Sequence, residues 1–238
     1  MLCPHCCFDC TEKGKDMSLD TVKAAVDLFL SYNKSVYYFT IGGGEPTVHP
    51  QFREIVKILL DLKDSMFKNF IGINIDVFTN GKNDEESLFL MELVKAKKIT
   101  CIFSCDKYHE KINPKIKRMF KKLSIDPETA TNMILEDKNP SPQKVGRAIF
   151  LPESLIYPQY CLGEGIFIDP NGFVFPCACR NIPFGHISED CIPEWYNKLT
   201  HSDQCYKYSE FKRLKLLDNE KKYNESTDSR IEDSCYCT

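Results

Sequence analysis

Four cysteines fall within the first ten residues, Met1-Leu2-Cys3-Pro4-His5-Cys6-Cys7-Phe8-Asp9-Cys10, of a chain that holds 13 in all. Cys3, Cys7 and Cys10 read C-x3-C-x2-C, three soft ligands on one short loop. Three thiolates can hold three irons of a [4Fe–4S] cluster and leave the fourth iron open to another ligand. The same loop also suits zinc, for which Cys-Pro-His-Cys is an apt fragment of a tetrahedral site. Further on stands Gly42-Gly43-Gly44-Glu45-Pro46, directly after the run Val36–Ile41. Glycines at the end of a strand let the backbone turn sharply and approach a ligand with no side chain in the way. A plain strand-to-helix turn is the alternative reading of the glycines alone.

Composition bounds the chemistry. At 238 residues, with 42% hydrophobic and 27% charged residues, the chain matches a soluble globular protein of one large domain, or one domain and an appendage. The net charge of -3 points to neither a nucleic acid nor a membrane surface as partner. No apolar run is long enough to cross a bilayer, and no basic-then-apolar leader opens the sequence. An odd number of clustered cysteines argues against a secreted disulfide scaffold and for a reducing, cytoplasmic setting.

The elements that must position these residues follow in order. A polar link, Thr11–Asp16, leads to a helix over Ser18–Ser31, with Val22, Ala25, Val26, Phe29 and Leu30 at helical spacing and Ser18 as N-cap. Val36–Ile41 is a buried strand. Helix, strand, helix and strand then succeed one another over Pro50–Lys63, Ile71–Phe78, a segment opening at Asp84, and Ile99–Ser104. A helix over Lys115–Lys122 precedes a polar stretch without clear pattern, and Val145–Leu151 reads as a further strand. Such alternation implies parallel βαβ units, whose ligands bind at the carboxyl ends of the strands. The motifs stand at those ends: the glycine run, Asn80 in Thr-Asn-Gly, and Ser104-Cys105-Asp106. Along Ile99–Ser104 and its continuation, Ser104 and Asp106 alternate with Cys101, Phe103 and Cys105, so the two sets face opposite ways.

The cysteine loop followed by Gly-Gly-Glu-Pro resembles the radical S-adenosylmethionine (radical SAM) enzymes. The resemblance implies an α/β fold, the partial (β/α)6 barrel of that family. Here the barrel is expected to lack its first strand, because only Met1 and Leu2 precede Cys3. It also implies that Gly43, Gly44, Glu45 and Pro46 hold the amino group of S-adenosylmethionine. Ser104 and Asp106 would face ribose and substrate, and Arg147 the cofactor carboxylate, for which a guanidinium is suited. Asn80 would touch cofactor or substrate, with an Asn-Gly turn as the competing reading. Tyr108 and His109 follow the same strand edge and read as a solvated helix start. Two registers of the metal ligands are open. In one, Cys3, Cys7 and Cys10 bind the cluster, which leaves Asp9 where the family has an aromatic residue. In the other, Cys3 and Cys6 are the second and third ligands, His5 supplies the ring, and the first ligand lies upstream together with the missing strand. Cys7 and Cys10 are then neighbours of undefined role.

From Tyr160 the composition changes, and Cys161, Cys177, Cys179, Cys191, Cys205, Cys235 and Cys237 accumulate. Cys161, Gly172 and Cys177 read C-x10-G-x4-C around a hairpin, Ile166–Phe175, whose turn is Pro170-Asn171-Gly172. This resembles the SPASM and twitch extensions, which hold auxiliary iron–sulfur clusters. The resemblance implies one such cluster on Cys161, Cys177 and later cysteines, with a zinc ribbon as the alternative. The expected division is a barrel over 1–155 and a cysteine-rich extension over 156–238. The implied activity is reductive cleavage of S-adenosylmethionine to a 5′-deoxyadenosyl radical that takes a hydrogen atom from a substrate. The expected substrate is a peptide, the alternative a small molecule being dehydrogenated. An electron donor such as a flavodoxin or ferredoxin is implied as partner. A non-catalytic zinc or iron–sulfur module, or an inactive fragment, is the reading from a different class.

Overall fold

The computed structural model describes residues 3, 6, 8, 10, 11, 13–31, 34–67, 71–136, 166–175, 183 and 185–189. The chain divides into two compact units. One is Asn33–Pro140, with Met1; the other joins Leu2–Tyr32 to Ser141–Thr238.

The Asn33–Pro140 unit is a four-stranded parallel sheet in sequence order, β1 (Val36–Ile41), β2 (Gly72–Thr79), β3 (Thr100–Ser104) and β4 (Met133–Glu136). Successive strands are connected by a helix: α2 (Phe52–Phe67), α3 (Asp84–Lys95) and α4 (Pro114–Ile125). This is the α/β arrangement expected, and its four described strands form an open sheet rather than a closed barrel. Period-two patterning decides which face is covered. Tyr37, Phe39, Ile73, Ile75 and Val77 are buried, whereas their neighbours Tyr38, Asn74 and Phe78 are exposed. Phe103 of β3 is fully buried, its ring stacked on Phe120 of α4 with centroids 4.3 Å apart, so this face is the one the helices cover. Cys101, two residues before, is equally buried, and desolvation, with the charge of Glu45 second, keeps its thiol protonated. Of the two cysteines expected to pack outward against the helices, Cys101 and Cys105, Cys101 is buried on this face, and Cys105, just beyond the strand, is half-buried.

The helices begin where local chemistry supplies acceptors for their first amides. Asn83 Oδ1 accepts from the Glu85 and Glu86 amides, and Asn113 Oδ1 from Lys115, with Pro114 at the first helical position. Arg53 of α2 reaches both Glu85 and Glu86 of α3 at 2.8–2.9 Å and ties the two helices at the surface. Strand β4 was not expected; it lies in the stretch that shows no pattern. It pairs in parallel with β3, Cys101 opposite Met133 through Ser104 opposite Glu136.

In the other unit, α1 (Leu19–Leu30) starts at Ser18, whose hydroxyl accepts from the Thr21 amide as predicted. The expected hairpin is present: β5 (Phe167–Ile168) and β6 (Phe173–Phe175) are antiparallel, and a third strand, β7 (Gly185–His186), pairs with β6. Gly172 explains its place in the motif. Its φ is +90°, and a Cβ there would stand 2.7 Å from His186 Nε2. The turn is closed by Asp169, whose Oδ1 accepts from the Asn171 and Phe173 amides. The expected strand Val145–Leu151 lies outside the described residues. Among the described residues, no helix is long and apolar enough to cross a membrane.

Truncating the buried ring of Phe120 to alanine should cost about 3–5 kcal/mol, by loss of packing and of the Phe103 stack. Truncating Phe67, 80% exposed at the end of α2, should cost well under about 1 kcal/mol. Chemical denaturation of the two variants checks the contrast; equal losses would contradict this account of the core.

Candidate functional site

The carboxyl ends of β1 to β4 stand side by side, and each carries a chemically distinctive residue: Glu45 beyond β1, Asn80 after β2, Ser104 at the end of β3, Glu136 at the end of β4. Glu45 organises this edge. Its side chain is buried, and Oε1 accepts from the Thr47 amide at 3.1 Å, the Thr47 hydroxyl at 2.6 Å and the Thr79 hydroxyl at 2.5 Å. Oε2 accepts from the Asn80 amide at 2.7 Å. A buried carboxylate is tolerable only when its lone pairs are occupied, and here four donors occupy them. The local reason is capping. Glu45 precedes the short 3-10 turn Pro46–Val48 and accepts from its second amide, with Pro46, which has no amide hydrogen, in first place. The distant reason is that β1 and β2 are neighbours, which brings Thr79 and Asn80 within reach.

The glycines before it turn the chain. Gly43 has φ +105°, a conformation that side chains rarely adopt, and a Cβ there would meet no atom within 4 Å. The requirement is therefore conformational, and the space beside the backbone is open to a ligand. Pro46 is buried in the turn. Asn80 is 3% exposed, and its Oδ1 accepts from the Lys82 amide, the local bond of an Asn-Gly turn. The Ser104 hydroxyl donates to Glu136 at 2.9 Å. Asp106 turns into the loop after β3, accepting from the Tyr108 amide at 2.8 Å and pairing with His109 Nδ1 at 2.9 Å.

The cysteine loop belongs to the other unit. The Cys6 amide donates to Cys3 O at 3.1 Å and the Cys10 amide to Cys6 Sγ at 3.3 Å. Among the described residues, no three histidine, cysteine or acidic side chains form a metal-holding group. Cys7, which distinguishes the two ligand registers, lies outside them. The donor types are nevertheless those an iron–sulfur cluster takes: four thiols within eight positions of sequence, with a backbone amide aimed at one of them.

A family model described as the Radical SAM superfamily matches residues 1–141. The chain belongs to that superfamily. Two solved structures agree on the fold. The structure titled "Native anSMEcpe with bound AdoMet" aligns over 90% of this chain and 84% of its own at 15% identity, with a TM-score of 0.52. A polyhistidine-tagged form of anSMEcpe with bound AdoMet aligns over 88% and 80%, at 15% identity and a TM-score of 0.51. The native protein with AdoMet and a Kp18Cys peptide aligns over 84% and 80%, at 15% identity and a TM-score of 0.47. No curated protein matches the chain.

For a radical SAM protein, the residues present fit both groups the family carries. The open space at Gly43, on a turn locked by Glu45, suits S-adenosylmethionine. The thiols of the first ten residues suit the cluster. Of the residues singled out by sequence, Gly43, Gly44, Glu45, Pro46, Asn80, Ser104 and Asp106 share one sheet edge. Arg147, Cys161 and Cys177 lie outside the described residues. Thr47, Thr79 and Glu136 escaped the sequence reading. A signal for Thr47 existed, since a carboxylate directly before Pro-Thr is a capping pattern; Thr79 and Glu136 are reached only through strand pairing.

Replacing Glu45 by alanine would strand the Thr47 and Asn80 amides and two hydroxyls in a buried site. Cofactor-free Glu45→Ala protein should lose about 3 kcal/mol or more in chemical denaturation. Glu45→Gln should also be destabilised, because its amide would point a donor at one of the four donors. A denaturation midpoint unchanged in Glu45→Ala would contradict the assignment.

Proposed function

We propose that this chain is a radical SAM enzyme that binds S-adenosylmethionine on the β1–β2 edge and acts on a peptide substrate. The observation that carries the reading is the Gly43 turn held by Glu45 beside Asn80, in a chain whose cysteine loop and fold are those of the superfamily. When bound, the cluster and S-adenosylmethionine supply reductive cleavage to methionine and a 5′-deoxyadenosyl radical, which takes a hydrogen atom from substrate.

The chain's own residues have separable tasks in this reading. Gly43 and Gly44 bring backbone close to the amino group, where fixed carbonyls serve as acceptors. Glu45 acts on the protein and keeps those carbonyls in place, which differs from a side chain that contacts the cofactor itself. Ser104 and its partner Glu136 present a hydroxyl and a carboxylate to the ribose or the substrate. Asp106 orders the loop beyond β3. Arg147 takes the cofactor carboxylate. Cys3 with either Cys7 and Cys10, or Cys6 and an upstream cysteine, binds the catalytic cluster.

The peptide substrate is supported by the C-x10-G-x4-C hairpin, because family members with such extensions often modify peptides. In this reading residues 1–155 form the catalytic domain and 156–238 an extension in which Cys161 and Cys177 hold an auxiliary cluster. A cytoplasmic flavodoxin or ferredoxin delivers the electron.

Anaerobically reconstituted protein given dithionite and S-adenosylmethionine should release 5′-deoxyadenosine, detected by chromatography and mass spectrometry. Iron-loaded protein that forms none, with or without candidate peptides, would refute the enzyme reading.

A further inference from the structure

The described residues place the N-terminal cysteine loop and the C-terminal hairpin in one unit, although more than 150 positions of sequence separate them. Among the described residues, two of the contacts that join them stand out. The ring of Phe8 stacks on Phe167 of β5, with centroids 5.2 Å apart and planes inclined by 17°. Lys15 Nζ donates to Asn171 Oδ1, in the hairpin turn, at 2.9 Å. Phe167 is in turn seated on Phe175 of β6, at 6.3 Å, within the small apolar cluster of the hairpin. Phe8 is therefore held by a side chain that is itself fixed.

The position of Phe8 gives this contact its meaning. It lies between Cys7 and Cys10: in the Cys3, Cys7 and Cys10 register it is one residue before the aromatic position that Asp9 occupies, and in the Cys3 and Cys6 register it is two residues after the last ligand. A loop this short, with four cysteines in ten residues, has little apolar surface of its own with which to fix a conformation. Aromatic stacking on a preformed hairpin supplies it, and because the Cys10 thiol lies 3.9 Å from the Phe8 carbonyl oxygen, holding Phe8 also holds that thiol in place. Lys15 on the turn fixes the far end of the same segment.

We propose that Phe8 is a positioning residue for the N-terminal cluster and that the hairpin, through Phe167, is the platform that orders the cysteine loop. This rests on the reading of that loop as the cluster site. In this arrangement the hairpin between Cys161 and Cys177 serves the catalytic cluster, whatever metal those two cysteines hold.

The test uses the full chain, reconstituted anaerobically. Two quantities are followed: the rate of iron loss to an added chelator, and the electron paramagnetic resonance signal of the reduced cluster that responds to S-adenosylmethionine. Phe8→Ala should speed loss of that signal about tenfold, the size expected when a partner outside the metal's own ligands is removed. It should also shift the reduction potential of the signal, whereas Phe8→Tyr should restore both. Phe167→Ala should do the same, and the Phe8→Ala, Phe167→Ala pair should lose iron no faster than either alone, because one contact is lost in all three. Since Phe167 also packs within the hairpin, its truncation can unfold that element; Phe8→Ala and Lys15→Ala, both on the loop side, then carry the test. Rates and potentials within twofold of wild type in Phe8→Ala, or effects that multiply in the double variant, would overturn the proposal while leaving the cluster reading intact. Wild-type protein that takes up no iron would refute the cluster reading and this inference together.

Discussion

The carboxylate of Glu45 is the constraint on which the sheet edge depends. It accepts from four donors on three residues: Thr47 of the 3-10 turn that follows it, Thr79 at the end of β2 and Asn80 just beyond. Each donor is buried or nearly so, and without Glu45 each would face the cost of an unmade hydrogen bond. The result is that the end of β1 and the end of β2 cannot move independently. Because the glycine turn is anchored directly before this knot, its backbone is presented in one conformation. A flexible glycine run would bind a ligand only after losing its freedom; this one has already lost it.

From that edge the rest of the Asn33–Pro140 unit follows. One face of the sheet is filled by aromatic and aliphatic side chains beneath α2, α3 and α4, and Cys101 sits there as packing, its thiol kept protonated by burial. The other face keeps Tyr38, Asn74 and Phe78 exposed. The residues able to do chemistry thus stand at the carboxyl ends of the strands, where ligands bind in open α/β sheets. The C-terminal hairpin repeats the logic on a smaller scale. There Asp169 gathers the amides of the turn, and Gly172 leaves room for His186.

Much of this is legible in residues. Val-Tyr-Tyr-Phe-Thr-Ile is a strand by composition, Ser18 is a cap by chemistry, and Pro-Asn-Gly is a turn by the φ it demands. Apolar spacing places helix α2 two residues early and ends it four short. Pro50 and Gln51 form a turn before it, and Asp64–Phe67 continue the helix with little apolar surface to announce it. Strand β4 is illegible because Met133–Glu136 is too short to show alternation and takes its conformation from β3. The partners of Glu45 are illegible for a related reason. Thr79 is 34 residues away, and only the pairing of β1 with β2 brings its hydroxyl to the carboxylate. The family resemblance assigns Glu45 to the cofactor; the geometry shows what its carboxylate does inside the protein.

The most direct measurement is a crystal structure of the anaerobic, cluster-loaded protein with S-adenosylmethionine bound. This account predicts Glu45 Oε1 still within hydrogen-bond distance of the Thr79 hydroxyl and Oε2 of the Asn80 amide, with the backbone of Gly43 and Gly44 facing the ammonium group. A Glu45 carboxylate swung away from Thr79 and bonded to the ammonium group would contradict it.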